Sequence, residues 1–457
     1  MSETTTTTHR KAHAIVFPYP YQGHITPTIN LAAKLASNGF TVTYVQLEFI
    51  GAGGAAALGI RCATISDGFP LEFDRDANLT EYWESMILDF PARVDELVGR
   101  IKKSDESATG FFLVADSLYT WTADIATKHN LVNVSLWTAP ALVFSIGYHL
   151  DLLKQNGHFP FEGSSDDLHI NYIPGVESIT RKDLMSQIQK PHAIPILIKI
   201  MEMSFEQVKK ADFILCNTVQ ELESHCLSSL DRRQPTYAVG PINFFAKTAS
   251  LLPTTDCSVW LESKPPASVL YISFGSIFEF NKQEITEIAH ALVSTGVDFL
   301  WVLKTEKKES NLAGVFPDGF LDRGLVVPWC DQRAVLSSPA VGGFLTHCGW
   351  NSTVESMWNG VPMLCYPFCV DQPTNRKLVV EDWRVGIDLC DGEQVITREE
   401  VSRKIDGLMK GNTCVELRQE VKKVSHTVRN ALERDGSSQI NFDRFLHDLK
   451  GRLKKME

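Results

Sequence analysis

Short apolar runs that alternate with helical stretches occur twice over along this chain, and this alternation restricts the fold more than any other feature. In the first half the runs cover residues 14–17, 42–47, 111–115, 132–136 and 213–216. In the second half they cover residues 269–274, 299–303, 325–328, 342–346 and 363–366. Strands that are separated by helices form parallel sheets covered by helices. The pattern predicts an α/β protein with two parallel sheets, and 457 residues suffice for two such domains.

The boundary between the two predicted domains falls near residue 250. Residues 239–266 contain Gly240-Pro241, a polar stretch and Pro265-Pro266, a composition that is typical of a linker. In open parallel sheets, ligands bind at the carboxyl ends of the strands, and two facing sheets create a cleft. Functional residues are therefore expected on the loops that follow the strands.

Three helix starts are predicted from local capping signals. Thr26-Pro27 offers an N-cap residue followed by a proline at the first helical position. Asn281 with Glu284, and Ser352 with Glu355, have the spacing of a capping box.

Charge and composition exclude several classes of function. The net charge is −11 and no long cluster of lysine and arginine occurs, so binding to nucleic acid or to an anionic membrane is not expected. Residues 1–12 are polar, and no run is long enough to span a bilayer, which favours a cytoplasmic protein. The ten cysteines lack a CxxC pair and are expected to be thiols. Residues 51–57 match GxGxxA, but a strand follows within a few residues, which argues against a dinucleotide fingerprint.

The stretch from residue 329 to residue 372 carries the most chemical information. Its central part reads as a strand, a tight turn and the start of a helix, with His347, Asn351 and Ser352 supplying side-chain donors and Gly349 allowing close approach. The N-terminus of a helix attracts anions through its N–H groups and its dipole, so a diphosphate fits here.

Residues on either side of this turn suit the rest of a nucleotide sugar. Trp329 offers a flat face for a base, and Glu355 can accept hydrogen bonds from ribose hydroxyls. Asp371 and Gln372 offer an acceptor and a donor for the hydroxyls of a hexose. Ser352 with Glu355 could equally be a helix cap.

Taken in order, the 44 residues from 329 to 372 resemble the signature box of plant family 1 UDP-dependent glycosyltransferases, enzymes of plant secondary metabolism. FPYPYQGHITP, LVADSLYTW and ISFGS also resemble family landmarks. The resemblance implies a GT-B fold of two facing Rossmann-like domains: residues 1–250 bind the acceptor, residues 251–436 bind the UDP-sugar, and a helix in residues 437–457 packs back on the N-terminal domain. One departure is Asp331, which stands where a proline is usual.

The resemblance also implies two sets of binding residues. The donor site would comprise Ser276, Trp329, Cys330, Gln332, His347, Gly349, Trp350, Asn351, Ser352, Glu355, Asp371 and Gln372. The acceptor pocket would comprise Tyr21, Leu118, Tyr119, Phe144, Ile194 and Ile198. For the apolar stretch 194–205, an ordinary amphipathic helix is an equally good interpretation.

His24 is the candidate general base, because it lies in the loop after the first strand and just before the first helix, where its imidazole would face the cleft. A single histidine at such a place is more often structural, and it is the resemblance of the His24 and Asp116 loops to the family that favours the base. A neutral histidine can take the proton of an acceptor hydroxyl as that oxygen attacks the anomeric carbon. Asp116, at the end of another predicted strand, would orient the imidazole ring and stabilise its charged form. Attack on the face opposite the diphosphate would invert the anomeric centre. No metal and no cofactor are expected, since no acidic pair or paired metal ligands stand at a strand end.

Gln372 at the end of the signature box resembles the glucose-preferring members of the family, which implies a hexosyltransferase that uses UDP-glucose, and galactose, xylose and glucuronate stay open as alternatives. The acceptor of this enzyme would be a small apolar alcohol, either a phenolic such as a flavonoid or a terpenoid, and a monomer is the default. A non-catalytic nucleotide-sugar sensor is an alternative, against which His24 and Asp116 argue. An oxidoreductase is disfavoured, because Tyr21-Gln22-Gly23-His24 follows the first strand in place of a glycine-rich turn.

Overall fold

The computed structural model describes residues 11–51, 58–160, 168–245, 253–275, 281–303, 316–390 and 396–456. The chain divides into two units. One unit consists of Met1–Leu150, His192–Ala249 and Ser437–Glu457, and the other of Asp151–Pro191 and Ser250–Gly436. Residues 52–57 of the glycine- and alanine-rich segment lie outside the described residues.

Strands and helices alternate along both units. The described strands, in chain order, are β1 (His13–Phe17), β2 (Thr41–Leu47), β3 (Arg61–Ile65), β4 (Phe111–Asp116), β5 (Val132–Trp137), β6 (His169–Ile170), β7 (Ile179–Thr180), β8 (Phe213–Cys216), β9 (Thr236–Ala238), β10 (Val269–Ser273), β11 (Asp298–Val302), β12 (Gly324–Val327), β13 (Val341–Thr346), β14 (Met363–Cys365) and β15 (Gly386–Asp388). The described α-helices are α1 (Gln22–Ser37), α2 (Leu79–Leu88), α3 (Phe90–Ser104), α4 (Thr122–Lys128), α5 (Ala141–Tyr148), α6 (Leu150–Gln155), α7 (Ser186–Gln189), α8 (Pro195–Val208), α9 (Ser224–Asp231), α10 (Ser258–Glu262), α11 (Lys282–Thr295), α12 (Phe320–Arg323), α13 (Gln332–Leu336), α14 (Trp350–Asn359), α15 (Gln372–Lys377), α16 (Arg398–Met409), α17 (Gly411–Ala431) and α18 (Ser437–Lys454).

The first unit is built on a parallel sheet whose described strands have the order β3-β2-β1-β4-β5-β8-β9. Successive side chains of a strand point to opposite faces, and both faces here are covered. In β1, Ala14 and Val16 belong to one apolar cluster, whereas Ile15 and Phe17 belong to the other. This burial on both faces explains why the strand is apolar along its whole length.

Helix α18 completes the first of these clusters. Phe442, Phe445 and Leu449 are fully buried in it. The hydroxyl of Tyr237, on the edge strand β9, donates to Asp448 Oδ2 at 2.6 Å. The C-terminal helix is therefore part of the core of the first unit.

The second unit is built on another parallel sheet, whose described strands have the order β12-β11-β10-β13-β14-β15. A short antiparallel pair, β6 and β7, lies in residues 151–191. The sequence analysis assigned these residues to the N-terminal domain, but in the structure they group with the second unit. Each of the ten apolar runs used to predict the fold coincides with a strand to within one residue, whereas the edge strands β3, β9 and β15 were not among them.

The predicted helix starts had mixed outcomes. The capping box of α11 is confirmed: Asn281 Oδ1 accepts from the Glu284 N–H at 2.9 Å, and Glu284 Oε2 accepts from the Asn281 N–H at 3.1 Å. The start at Thr26-Pro27 is wrong, because α1 begins at Gln22 and Pro27 lies inside the helix. The capping box at Ser352 is also wrong, because both of its residues lie inside α14, whose N-cap residue is Gly349.

Among the helices of the described residues, none is both long and apolar enough to cross a membrane.

Candidate active site

The candidate base lies where three neighbouring strands of the first sheet end. His24 is in the first turn of α1, not in a loop before the helix as the sequence indicated. Its Nδ1 is 2.7 Å from Oδ2 of Asp116, the last residue of β4. The His24 side chain is 24% exposed and the Asp116 side chain is 1% exposed, so a buried carboxylate meets an imidazole that ligands can reach.

Two further contacts fix this pair. The second carboxylate oxygen of Asp116, Oδ1, accepts from the Leu118 N–H at 3.0 Å, which sets the plane of the carboxylate. Thr138 Oγ1 lies 2.8 Å from His24 Nδ1. Thr138 follows β5 directly and is buried; the sequence reasoning missed it, although its place at a strand end was a signal.

A cluster of aromatic side chains reaches the imidazole through Tyr19. The Tyr19 ring lies 5.4 Å from the His24 ring and is stacked on Trp83, with ring centroids 4.7 Å apart. Tyr21, a predicted acceptor residue, contacts both Tyr19 and Trp83. Burial raises the pKa of Tyr21 to about 12, so its phenol is neutral at physiological pH. Trp83 comes from α2, and no sequence signal pointed to it.

The other predicted acceptor residues divide into exposed and buried positions. Leu118 and Ile198 are partly exposed, and Ile194 is 40% exposed just before α8. Tyr119 is buried, and its hydroxyl donates to a backbone carbonyl at 2.8 Å. Phe144 has no exposed surface, because α5 is apolar on all sides and is buried along its whole length, so Phe144 is a core residue in this structure.

The predicted phosphate site lies in the second unit, at the turn from β13 to α14. Cys348 has a positive φ of 64°, and Gly349 is the N-cap residue of α14. The His347 ring packs against Gly275 and Gly349 so closely that a Cβ on Gly275 would lie 2.7 Å from His347 Nε2. Burial lowers the pKa of His347 to about 4, against the opposing effect of a hydrogen bond with the Ser273 backbone. The imidazole is therefore neutral at pH 7.

Trp350, Asn351 and Ser352 form the first turn of α14. N–H groups of the first turn point along the helix axis away from its body, and they carry the positive end of the helix dipole. The three residues thus present backbone N–H groups in one direction, which suits an anion.

A hydrogen-bonded network lies on the flank of α14. Gln332 Nε2 donates to Ser352 Oγ at 3.0 Å and to Glu355 Oε2 at 2.9 Å. The hydroxyl of Tyr271 donates to Gln332 Oε1 at 3.2 Å. Both Ser352 and Glu355 are buried, and the bond from Gln332 holds the Glu355 carboxylate in place.

Trp329, which follows β12, is partly exposed, whereas the neighbouring Cys330 is buried. Asp331 is the N-cap residue of α13, and its carboxylate accepts from the Arg333 and Ala334 N–H groups at 3.1 and 3.2 Å. The residue that departs from the family pattern therefore has a structural role as a cap.

The two predicted sugar residues lie at the start of α15. Gln372 Oε1 accepts from the backbone N–H groups of Phe368 and Cys369, at 2.8 and 3.1 Å, and Nε2, the donating side of the amide, has a weak contact of 3.7 Å to Cys369 Sγ. Asn375 Nδ2 donates both to Asp371 Oδ2 and to the Cys348 carbonyl, each at 2.8 Å. Asn375 thus connects the two residues that were predicted to bind the hexose with the turn between β13 and α14, the predicted phosphate site.

Ser276, also predicted for the donor site, lies outside the described residues. Within the part of the chain that the structure describes, no group of three or more His, Cys, Asp or Glu side chains is arranged to hold a metal ion.

Comparisons with known proteins place the chain in a family. The family model described as UDP-glucoronosyl and UDP-glucosyl transferase matches residues 204–415. The chain is 45% identical over 474 residues to UDP-glycosyltransferase 86A1 of Arabidopsis thaliana, and the alignment covers 97% of this chain and 96% of that protein. The chain belongs to the UDP-glycosyltransferase family.

Two other matches concern the fold and the ligand. The 7-deoxyloganetin glucosyltransferase of Gardenia jasminoides is 33% identical over 466 residues, 94% of this chain and 95% of that protein. The crystal structure of Medicago truncatula UGT71G1 complexed with UDP-glucose matches with a TM-score of 0.81 and 26% identity, over 96% of this chain and 98% of that one. This UDP-glycosyltransferase therefore has the GT-B fold and is a glycosyltransferase with a UDP-sugar donor, which confirms the predicted family and fold class.

Proposed function

We propose that this UDP-glycosyltransferase transfers glucose from UDP-glucose to a hydroxyl of a small apolar acceptor, with inversion at the anomeric carbon and with His24 as the general base. The single observation that carries the proposal is the contact of 2.7 Å between His24 Nδ1 and the buried Asp116 carboxylate. A carboxylate on one ring nitrogen keeps the proton there, so the other nitrogen is the basic one.

The chemistry of the base follows from this arrangement. Nδ1–H donates to Asp116 Oδ2, and Nε2 takes the proton of the acceptor hydroxyl as its oxygen attacks the anomeric carbon. The C–O bond to the new oxygen forms while the bond from the anomeric carbon to the diphosphate breaks. The buried negative charge of Asp116 stabilises the imidazolium that results, since charges interact more strongly away from water.

The leaving diphosphate gains negative charge in the transition state. The first turn of α14 and the neutral His347 supply N–H donors and a positive dipole end for that charge. These donors are part of the protein itself, so we propose that neither a metal ion nor an organic cofactor takes part. Trp329 and Glu355 would bind the base and the ribose, and Asp371 with Gln372 would bind the hexose.

Two of the relatives support the choice of glucose and of acceptor class. The Medicago protein was crystallised with UDP-glucose, and the Gardenia protein is named as a glucosyltransferase of 7-deoxyloganetin. The second of these favours a terpenoid over a flavonoid or other phenolic acceptor. The partly exposed apolar side chains near His24, such as Tyr21 and Leu118, fit an acceptor of either class.

The proposal is tested by incubating the purified protein with UDP-glucose, EDTA and a panel of terpenoid and phenolic alcohols, and by following product masses. A gain of one hexose in any acceptor supports the reaction class and the independence from metal. The anomeric configuration of the product, from the proton coupling constant at its anomeric carbon, tests inversion. UDP-glucose binding without transfer to any acceptor would favour a sensor, and transfer only after a divalent cation is restored would contradict the metal-free mechanism.

A further inference from the structure

Val370 has a backbone conformation that its side chain disfavours. Its φ is +55°, in the left-handed region, where a β-branched residue is an outlier. Val370 directly precedes Asp371 and Gln372, the two residues proposed to bind the hexose. Something in the structure must hold this strained residue in place.

Ser186 makes the contacts that hold it. The Val370 N–H donates to Ser186 Oγ at 2.7 Å, and the Ser186 N–H donates to the Val370 carbonyl at 2.9 Å. The backbone N–H and the carbonyl of the strained residue are thus both hydrogen-bonded to one residue that lies 184 positions earlier in the chain. Ser186 is the first residue of α7 and lies outside the signature box.

The segment that carries Ser186 is itself fixed to α15. Asp183 is buried and forms an ion pair with Arg376, which also contacts Asp388 at 3.2 Å. The Asp183 carbonyl accepts from Thr374 Oγ1 at 2.6 Å. The segment of Ser186 is therefore held to α15, the helix that begins with Gln372, by a buried ion pair and a hydrogen bond, and Ser186 connects Val370 to it.

The conformation of Val370 controls the geometry of the sugar residues. Gln372 Oε1 is bonded to the N–H groups of Phe368 and Cys369, which lie on the other side of Val370 in the sequence. A rotation about φ of Val370 would displace these two N–H groups relative to Gln372. The rotation would break the two hydrogen bonds to Gln372 Oε1, which fix the direction in which Nε2 of the same amide points.

We propose that Ser186 is a positioning residue for recognition of the donor sugar. It acts by holding Val370 in the left-handed conformation. The inference rests on the proposed function, because it takes Asp371 and Gln372 as the residues that bind the hexose. It assigns part of the sugar selectivity to residues 151–191, outside the signature box.

The test compares Ser186→Ala with Ser186→Thr, which retains the hydroxyl, and with Ser178→Ala as a matched control. Ser178 belongs to the same segment, but its hydroxyl bonds to His169 at 2.9 Å and does not contact Val370. Titration calorimetry gives the Kd of UDP and of UDP-glucose for each variant. Ser186→Ala is expected to raise the Kd of UDP-glucose about tenfold, because the variant loses one hydrogen bond and, with it, the conformation of Val370 that this bond stabilises. The Kd of UDP is expected to change less than about twofold. Ser186→Thr and Ser178→Ala are expected to match the wild type.

A second variant tests the role of the strained residue. Asparagine adopts the left-handed conformation more readily than valine. Adding Val370→Asn to Ser186→Ala is therefore expected to recover part of the affinity for UDP-glucose and part of the preference for UDP-glucose over UDP-galactose in transfer.

Three outcomes overturn the inference: an unchanged Kd of UDP-glucose in Ser186→Ala, an equal loss of UDP affinity, or no recovery in the double variant. The failure of the proposed function would look different. In that case the wild type would transfer no hexose, while the calorimetric comparison of UDP with UDP-glucose would still decide the role of Ser186.

Discussion

Replacement of Asp116 by asparagine should damage catalysis more than its replacement by alanine. Oδ1 of Asp116 accepts from the Leu118 N–H, and an asparagine at this position keeps that bond only if its carbonyl oxygen takes the place of Oδ1. Its NH2 group then faces His24 Nδ1. An amide N–H donor makes Nδ1 the acceptor, so the proton moves to Nε2 and this nitrogen can no longer act as the proposed base.

Asp116→Ala leaves a different partner at the ring. Thr138 Oγ1 lies 2.8 Å from His24 Nδ1 and can accept its proton, so the productive tautomer persists without the charge of the carboxylate. The wrong tautomer in a comparable histidine–carboxylate pair lowers kcat by about 10⁴-fold. For Asp116→Asn, kcat should therefore fall about 10³- to 10⁴-fold, which corresponds to an activation barrier raised by about 4 to 5.5 kcal/mol. For Ala the fall should be about 10²-fold, the lower end for general base catalysis.

The assay is kcat at saturating UDP-glucose and acceptor, with the Kd of UDP as the control for the donor site and thermal unfolding as the control for the fold. A double variant, Asp116→Ala with Thr138→Val, removes the remaining acceptor and should approach the kcat of Asp116→Asn. If Asp116→Asn is as active as Asp116→Ala, or more active, the argument from the tautomer is refuted.

Three further predictions concern the second unit. Gln372→Glu keeps the acceptor for the Phe368 and Cys369 N–H groups but removes the Nε2 donor. The KM for UDP-glucose should therefore rise about tenfold, with little change in the Kd of UDP. An unchanged KM would exclude the proposed contact of Gln372 with the hexose. The pKa of His347 is lowered to about 4 in the folded protein, whereas the unfolded chain binds this proton near pH 6.5. The free energy of unfolding should therefore fall by about 3 kcal/mol as the pH falls from about 6.5 to 4. In urea unfolding at pH 7 and pH 4.5, His347→Gln should lose less stability between the two pH values than the wild type. Gly349→Ala would place a Cβ against the His347 ring and should weaken UDP binding at least about tenfold, whereas Gly407→Ala, with its nearest atom 3.9 Å away, should not.

The strands, and the sheet edge where their carboxyl ends meet, could be predicted from the sequence because their signals are local or regular. A strand buried on both faces, such as β1, is a continuous apolar run whose limits are visible in the sequence. The carboxyl ends of neighbouring parallel strands then bring His24 and Asp116 to one edge, although 92 positions separate them.

Helix starts were less predictable, because a residue that can cap a helix can also lie within one. Thr26-Pro27 has the composition of a helix start, yet the helix begins one turn earlier and accommodates the proline. Ser352 and Glu355 have the spacing of a capping box, yet they face Gln332 from inside α14. In the second case the tertiary contacts to Gln332, which a local pattern does not contain, take up the two side chains that would have formed the cap.

Contacts between distant segments left no trace in the sequence. Ser186 and Asp183 lie in a region without a motif, and only the fold brings them to Val370 and Arg376. Thr138 is a single hydroxyl after a strand, one of several such residues. Its importance follows from a distance of 2.8 Å to His24, which spacing along the chain does not determine.

The place of α18 in the core of the first unit has a consequence for biosynthesis. Phe442, Phe445 and Leu449 fill an apolar cluster with β1 and β9, yet they are translated about 200 residues after β9. At the usual elongation rates of about 5 to 20 residues per second, the nascent first unit waits about 10 to 40 s with that apolar surface uncovered. Exposed apolar surface promotes aggregation, so we expect translation rate and chaperone supply to influence the yield of this protein in a heterologous host.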